Sequence, residues 1–91
     1  DMEKTIQMLK EAKIRIYAAH LRGKNSYDEE SYLGGTAFLI GNEGNGLSER
    51  LSDQADCLIR IPMEGQVESL NAAMSAGILM YEAGRQRRKK V

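Results

Sequence analysis

The sequence predicts an α/β domain built on a parallel sheet with flanking helices. Three observations predict it. Thr36-Ala37-Phe38-Leu39-Ile40 is a largely apolar run of strand length, the pattern of a strand covered on both faces. Segments with strand character alternate with segments of helical period, in the order helix, strand, loop, strand, helix, strand, helix. Finally, two strands end in the same grammar, an irregular turn followed by polar residues at a helix start. One is Phe38-Leu39-Ile40-Gly41-Asn42-Glu43-Gly44-Asn45-Gly46-Leu47-Ser48, and the other is Ile61-Pro62-Met63-Glu64-Gly65-Gln66-Val67-Glu68-Ser69-Leu70-Asn71.

Each element has its own signal. Residues 1–12 form an amphipathic helix, with Met2, Ile6 and Leu9 at helical spacing, Met8 and Ala12 beside them, and Lys4, Lys10 and Glu11 on the wet side. The helix is a packing element and ends near Lys13. Ile14-Arg15-Ile16-Tyr17-Ala18-Ala19 alternates as a short strand, and His20 follows it as an ordinary strand-end histidine. Residues 22–35 carry no sustained period and read as a long loop, with Tyr27 and Tyr32 either packing its base or meeting a partner. Thr36–Ile40 is the second strand. Residues 47–55 form a short helix capped by Ser48 or Asn45, with Glu49 suited to its positive end. Asp56-Cys57-Leu58-Ile59-Arg60-Ile61 is the third strand, stopped by Pro62, the only proline. Residues 69–87 form the longest helix, with an apolar stripe of Leu70, Ala73, Met74, Gly77, Ile78 and Tyr81. Residues 85–91 form a basic tail, solvated or set against RNA phosphate.

The 91 residues make one domain at most, with neither an internal repeat nor an internal boundary. A chain this short buries only about 60–65% of its unfolded surface, so its core is thin. Thirteen basic and thirteen acidic side chains cancel, so net charge gives no nucleic-acid signal. The one cysteine, Cys57, cannot form an internal disulfide, which fits a reducing, cytoplasmic setting. No apolar run approaches the roughly 18–20 residues of a membrane span, and no signal peptide opens the chain. One histidine and one cysteine make a poor start on a metal site, and no metal is expected. With only His20 as a base, no Ser–His–Asp or Cys–His arrangement convinces.

The two turns carry the chemistry. A glycine-rich strand-to-helix turn often cradles phosphate on bare N–H groups. Here the spacing is G-x-x-G-x-G, and no Gly-Lys-Ser/Thr follows, which excludes a P-loop. Glu43 sits where it would repel phosphate. A ligand without phosphate fits better, one with an adenine edge, a ribose or a positive centre, while a purely structural tight turn explains the glycines equally well. The second turn shifts the balance. In an open parallel sheet, ligands collect outside the carboxyl ends of the strands. Ile61, Pro62 and Met63 place apolar backbone there. Ser69 and Asn71 present a hydroxyl and an amide at the next helix start, and Met63 and Leu70 offer surface to a flat ring. A helix cap is the plainer role for Ser69.

These two stretches are similar to the second and third motifs of the SpoU (TrmH-like) branch of the SPOUT RNA methyltransferases. Tyr81-Glu82 with Arg85-Gln86 resembles that family's last helix, and the resemblance covers residues 1–87. It implies a parallel α/β sheet with a deep trefoil knot near the C-terminal end. It implies transfer of a methyl group from S-adenosylmethionine to a ribose 2′-hydroxyl of rRNA or tRNA, in a homodimer. By motif match, Gly41, Ile61 and Leu70 would contact the cofactor through their backbones, with Leu39 and Met63 nearby. Glu43, Ser69 and Asn71 fall on the family's polar motif positions. Ser69 and Asn71 would order the pocket, and Glu43 would fix the knot loop or the active-site arginine.

The chain departs from the family at one point. The first motif, an Asn followed by an Arg, has no match, and Arg15 and Arg22 lie in the wrong context to replace it. The expectation is therefore the C-terminal part of a catalytic domain, able to hold part of the pocket and inactive alone. A non-catalytic relative that keeps the cofactor pocket or the dimer surface, and a nucleotide-phosphate binder, are the alternatives.

Overall fold

The computed structural model describes residues 1–20, 23–41, 48–62 and 72–89. Four strands are found there: β1 (Arg15–Ala19), β2 (Asn25–Ser26), β3 (Thr36–Leu39) and β4 (Cys57–Arg60). They form one sheet in the order β2-β4-β1-β3, and every pairing is parallel. Three helices accompany it: α1 (Met2–Glu11), α2 (Glu49–Ser52) and α3 (Ala72–Lys89).

Both faces of the sheet are covered, and side-chain alternation shows how. Ile16 and Ala18 of β1, Ala37 and Leu39 of β3 and Leu58 of β4 point to one face. There they meet Ile6 and Leu9 of α1, with Leu51 and Ala55 in and just after α2. Tyr17, Ala19, Phe38, Cys57 and Ile59 point to the other face, against Leu79 and Ala83 of α3 and against Tyr27 and Tyr32. A chain arranged in this way reads as continuous apolar runs, which is what the sequence showed at Thr36–Ile40.

The helix α1 begins at Asp1, whose Oδ1 accepts from the Glu3 N–H at 2.9 Å, and it buries Ile6. It ends where predicted: Lys13 takes a left-handed φ of 65° as the chain turns into β1. The Asp56 carboxylate accepts from the Ile16 N–H at 2.7 Å while the Asp56 N–H donates to the Ile16 carbonyl at 2.8 Å, which aligns β4 with β1.

The segment read as a loop contains β2 and a 3-10 turn, Tyr27–Glu29. A two-residue strand has no period to read. It joins β4 because Gly23 lets two backbones touch: a Cβ there would lie 2.7 Å from the Arg60 nitrogen. Arg60 Nη1 then donates to the Gly23 and Lys24 carbonyls at 3.0 and 3.3 Å. Of the two roles open to Tyr27 and Tyr32, packing the base of this segment is the one the structure shows. Tyr32 is wholly buried, edge-on to Tyr17 and Phe38 with ring centroids 4.9 and 5.2 Å away.

The second helix is shorter than predicted. Ser48 caps it, accepting from the Leu51 N–H at 3.2 Å, and the helix gives way to turns after Ser52. The largest correction concerns α3. The stripe predicted to be buried is mostly exposed, including Ala73, Met74, Gly77 and Tyr81. The face that meets the sheet is instead Ser75, Leu79, Glu82 and Ala83. Burial of Glu82 is offset locally, since its carboxylate accepts from Arg85 Nε at 2.8 Å, Arg85 Nη2 at 2.7 Å and Gln86 Nε2 at 2.8 Å. The residues read as a basic tail continue the helix as far as Lys89, and two of them serve as clamps. Gln86 receives the Tyr32 N–H at 2.8 Å and donates to the Glu30 carbonyl at 2.9 Å, and Arg87 donates to the Tyr32 and Gly34 carbonyls, each at 3.0 Å. The trefoil knot expected near the C-terminal end falls partly on residues outside those described. Among the described residues, no helix is long and apolar enough to cross a membrane.

Candidate functional site

A parallel sheet aligns all its carboxyl ends on one edge. The register Ala18↔Leu39 and Ala19↔Ile59 puts the ends of β3, β1 and β4 side by side. Gly41 follows β3, His20 follows β1, and Ile61 follows β4. The structure therefore brings Gly41 and Ile61, two of the predicted backbone contacts, to one edge. The two are not on neighbouring strands, however. β1 runs between β3 and β4, which sets their ends two strand spacings apart, about 10 Å.

Leu39 is buried in the aliphatic cluster beside Ile6, Ile16 and Ala18, so its side chain braces the strand below the edge. Gly41 and Ile61 are half-buried, and Ile61 leans on the aromatic cluster with Tyr17 and Leu79. The remaining predicted site residues, Glu43, Met63, Ser69, Leu70 and Asn71, lie outside the described residues.

Sequence reasoning undervalued His20. A lone histidine after a short strand carries no signal by itself, yet its N–H donates to the Ile59 carbonyl at 2.8 Å and its side chain is 12% exposed. Its Nε2 lies 3.5 Å from Glu49 Oε1, at the first residue of α2. The signal available was parity: Ile16, Ala18 and His20 share one face of the strand, the face that α2 covers.

Arg60, at the end of β4, turns to the carbonyls of Gly23 and Lys24. Among the described residues, no group of three or more His, Cys, Asp or Glu is placed to hold a metal ion.

Residues 1–81 match the profile of the SpoU rRNA Methylase family. The chain belongs to that family. SpoU relatives match nearly all of it. An uncharacterised tRNA/rRNA methyltransferase of Mycolicibacterium smegmatis is 35% identical over 97% of the chain and 28% of its own length. The tRNA (guanosine(18)-2′-O)-methyltransferase of Thermus thermophilus is 40% identical over 98% of the chain and 46% of its own length. Among solved SpoU structures, the A. aeolicus TrmH/SpoU tRNA modifying enzyme superposes with a TM-score of 0.89 at 34% identity, over 99% of this chain and 46% of that one. AviRb of Streptomyces viridochromogenes, solved in complex with AdoMet, gives 0.88 at 30% identity, over 98% and 37%. The chain thus spans less than half the length of these relatives. The likeness places its parallel sheet and flanking helices in the SpoU fold.

Proposed function

We propose that this chain binds S-adenosylmethionine across the carboxyl edge of its sheet and serves in the 2′-O-methylation of tRNA or rRNA ribose. The observation that carries this reading is the placement of Gly41 and Ile61 at the ends of β3 and β4, flanking the end of β1. AviRb, of the same fold, was solved with this cofactor, and the Thermus relative carries the ribose specificity in its name. The cofactor supplies a methyl group on a sulfonium, a cation without phosphate. A glycine turn bearing Glu43 instead of a lysine agrees with that charge. Gly41, Ile61 and Leu70 would hold the adenosine through main-chain groups, with Leu39 and Met63 lining it, and Glu43, Ser69 and Asn71 would order the polar side of the pocket.

A ribose hydroxyl is a poor nucleophile at neutral pH and needs a group to lower its pKa or take its proton. The family's first-motif Asn and Arg have no counterpart in these 91 residues. That absence favours a narrower role for this chain alone: cofactor binding without turnover. It would belong to a homodimer. An RNA substrate would place it in the cytoplasm.

Calorimetry tests the reading. S-adenosylhomocysteine should bind and ATP should not. Tight ATP binding with no response to S-adenosylhomocysteine would replace this proposal with a nucleotide-phosphate binder. In a labelled-methyl assay on bulk rRNA and tRNA, the chain alone should give no appreciable transfer, and clear turnover would refute the narrower role.

A further inference from the structure

We propose that Arg60 is a positioning residue for cofactor binding, whose side chain closes a clasp at the carboxyl edge and so sets the main chain of Ile61. The role rests on the cofactor reading above, in which Ile61 holds the adenosine through its backbone.

Ile61 stands just past the support of the sheet. The ladder to β1 reaches Ala19↔Ile59, and the ladder to β2 ends at Ser26↔Arg60. Next comes Pro62, which has no N–H to give and holds the residue before it to extended backbone. Apolar contact with the aromatic cluster sets the depth of the Ile61 side chain but gives its main chain no direction. That direction is inherited from Arg60, the last residue of β4.

One neighbouring segment meets Arg60 at both its main chain and its side chain. Gly23 lies directly on the peptide that joins Ile59 to Arg60: a Cβ there would fall 2.4 Å from the Ile59 carbonyl carbon and 2.7 Å from the Arg60 nitrogen. The guanidinium reaches back to the same segment, where Nη1 donates to the Gly23 carbonyl at 3.0 Å and to the Lys24 carbonyl at 3.3 Å. Gly23 is tied in turn to the central strand, its N–H donating to the His20 carbonyl at 3.0 Å. The His20 N–H donates to the Ile59 carbonyl at 2.8 Å. These bonds close a ring through His20, Ile59, Arg60 and Gly23 that joins the ends of β1 and β4 immediately before Ile61.

Within this ring the bond from Arg60 to Gly23 is the one made by a side chain. It matters because β2 is only two residues long and gives the outer side of β4 little ladder. Nη1 carries two N–H groups, one for each carbonyl, and so fixes an orientation as well as a distance. Without them the segment 23–24 would hold the end of β4 less firmly. Ile61 would sample more positions, and the ligand would bear the ordering cost.

The test is calorimetry on this chain and on Arg60→Met and Arg60→Lys, at a temperature where circular dichroism shows each folded. Met keeps the apolar stem and loses the donors, whereas Lys keeps a donor without the planar fork. The probes are S-adenosylhomocysteine and methylthioadenosine, which shares its adenosine and sulfur but lacks its amino-acid end. Arg60→Met should weaken both alike, by about 3–10-fold, and Arg60→Lys by about 2–3-fold. The Ile61 amide resonance should move in Arg60→Met and return part of the way in Arg60→Lys, a signature that lost stability alone does not produce. A loss confined to S-adenosylhomocysteine would make Arg60 a direct contact to the ligand's carboxylate and overturn the positioning role. Unchanged affinities, or an Ile61 resonance that stays in place, overturn it as well, and in each of these cases the functional reading stands. If the unaltered chain binds neither probe, the functional reading fails and this role fails with it. Should Arg60→Met not fold, Arg60→Lys decides, and unaltered affinity for both probes sinks the inference.

Discussion

The two faces of the sheet are built from different materials. Toward α1 and α2 the contact is aliphatic: Ile6, Ile16, Ala18 and Leu39, with exposed polar links such as Glu3–Arg50 around it. Toward α3 the contact is aromatic and hydrogen-bonded. Tyr32 stands edge-on to Tyr17 and Phe38, the Tyr17 hydroxyl donates to the Ser31 carbonyl at 2.7 Å, and the Tyr32 hydroxyl donates to the Tyr27 carbonyl. Gln86, held by Glu82, and Arg87 then bind the 30–34 segment to the helix. Apolar contact tolerates sliding, whereas a network of directional bonds specifies one arrangement. The α3 face is thus the frame, and the α1/α2 face is the adjustable side, the one next to the exit of the glycine-rich stretch.

The largest way to break this contrast is Tyr32→Ala. It removes a wholly buried ring and should cost about 3–5 kcal/mol in urea unfolding, a large share of a small domain's stability. Ile6→Ala, the matching change on the aliphatic face, should cost about 2–4 kcal/mol. Equal losses would erase the distinction. Next comes Glu82→Gln, which keeps the shape and removes the charge. It should cost about 1–2 kcal/mol, since bonds to a charged acceptor are stronger than neutral ones.

Acid sharpens the same comparison. Hydrogen bonds from Arg85 hold the Glu82 carboxyl down from an ordinary 4.5 to about 2. A carboxyl held low in the folded state stabilises it above the unfolded value, and that contribution disappears as pH falls through the folded value. Stability should therefore decline from about pH 4.5 towards pH 2, and Glu82→Gln should flatten that part of the curve. The smallest effect expected is Ser48→Ala, about 1 kcal/mol from the lost cap of α2, read from the denaturation midpoint.

Three strands were legible because each is a largely apolar run with a stop: Ile14–Ala19 before His20, Thr36–Ile40 before Gly41, Asp56–Ile61 before Pro62, whereas β2 is too short to show a period. The edge where Gly41 and Ile61 sit followed from the parallel arrangement alone. What the sequence hid depended on distant partners. Nothing local reveals that Glu82 is buried, because its acceptability depends on Arg85 and Gln86 folding over it and on Gln86 reaching Tyr32. Met74 and Tyr81 look like core on hydropathy yet stay outside, because Ser75 and Leu79 already fill the approach to the sheet. Strand order was equally hidden, since no residue in β3 or β4 announces that β1 will lie between them.

Gly23 has a consequence for how the molecule keeps to itself. By admitting β2 against β4, it covers the outer side of a strand that would otherwise offer unpaired amides to any passing chain. The cover is only two residues wide. A methyl group at position 23 would lift it off and leave β4 as a template for strand-to-strand growth, so the cover on this side of the sheet depends on the absence of a single carbon atom.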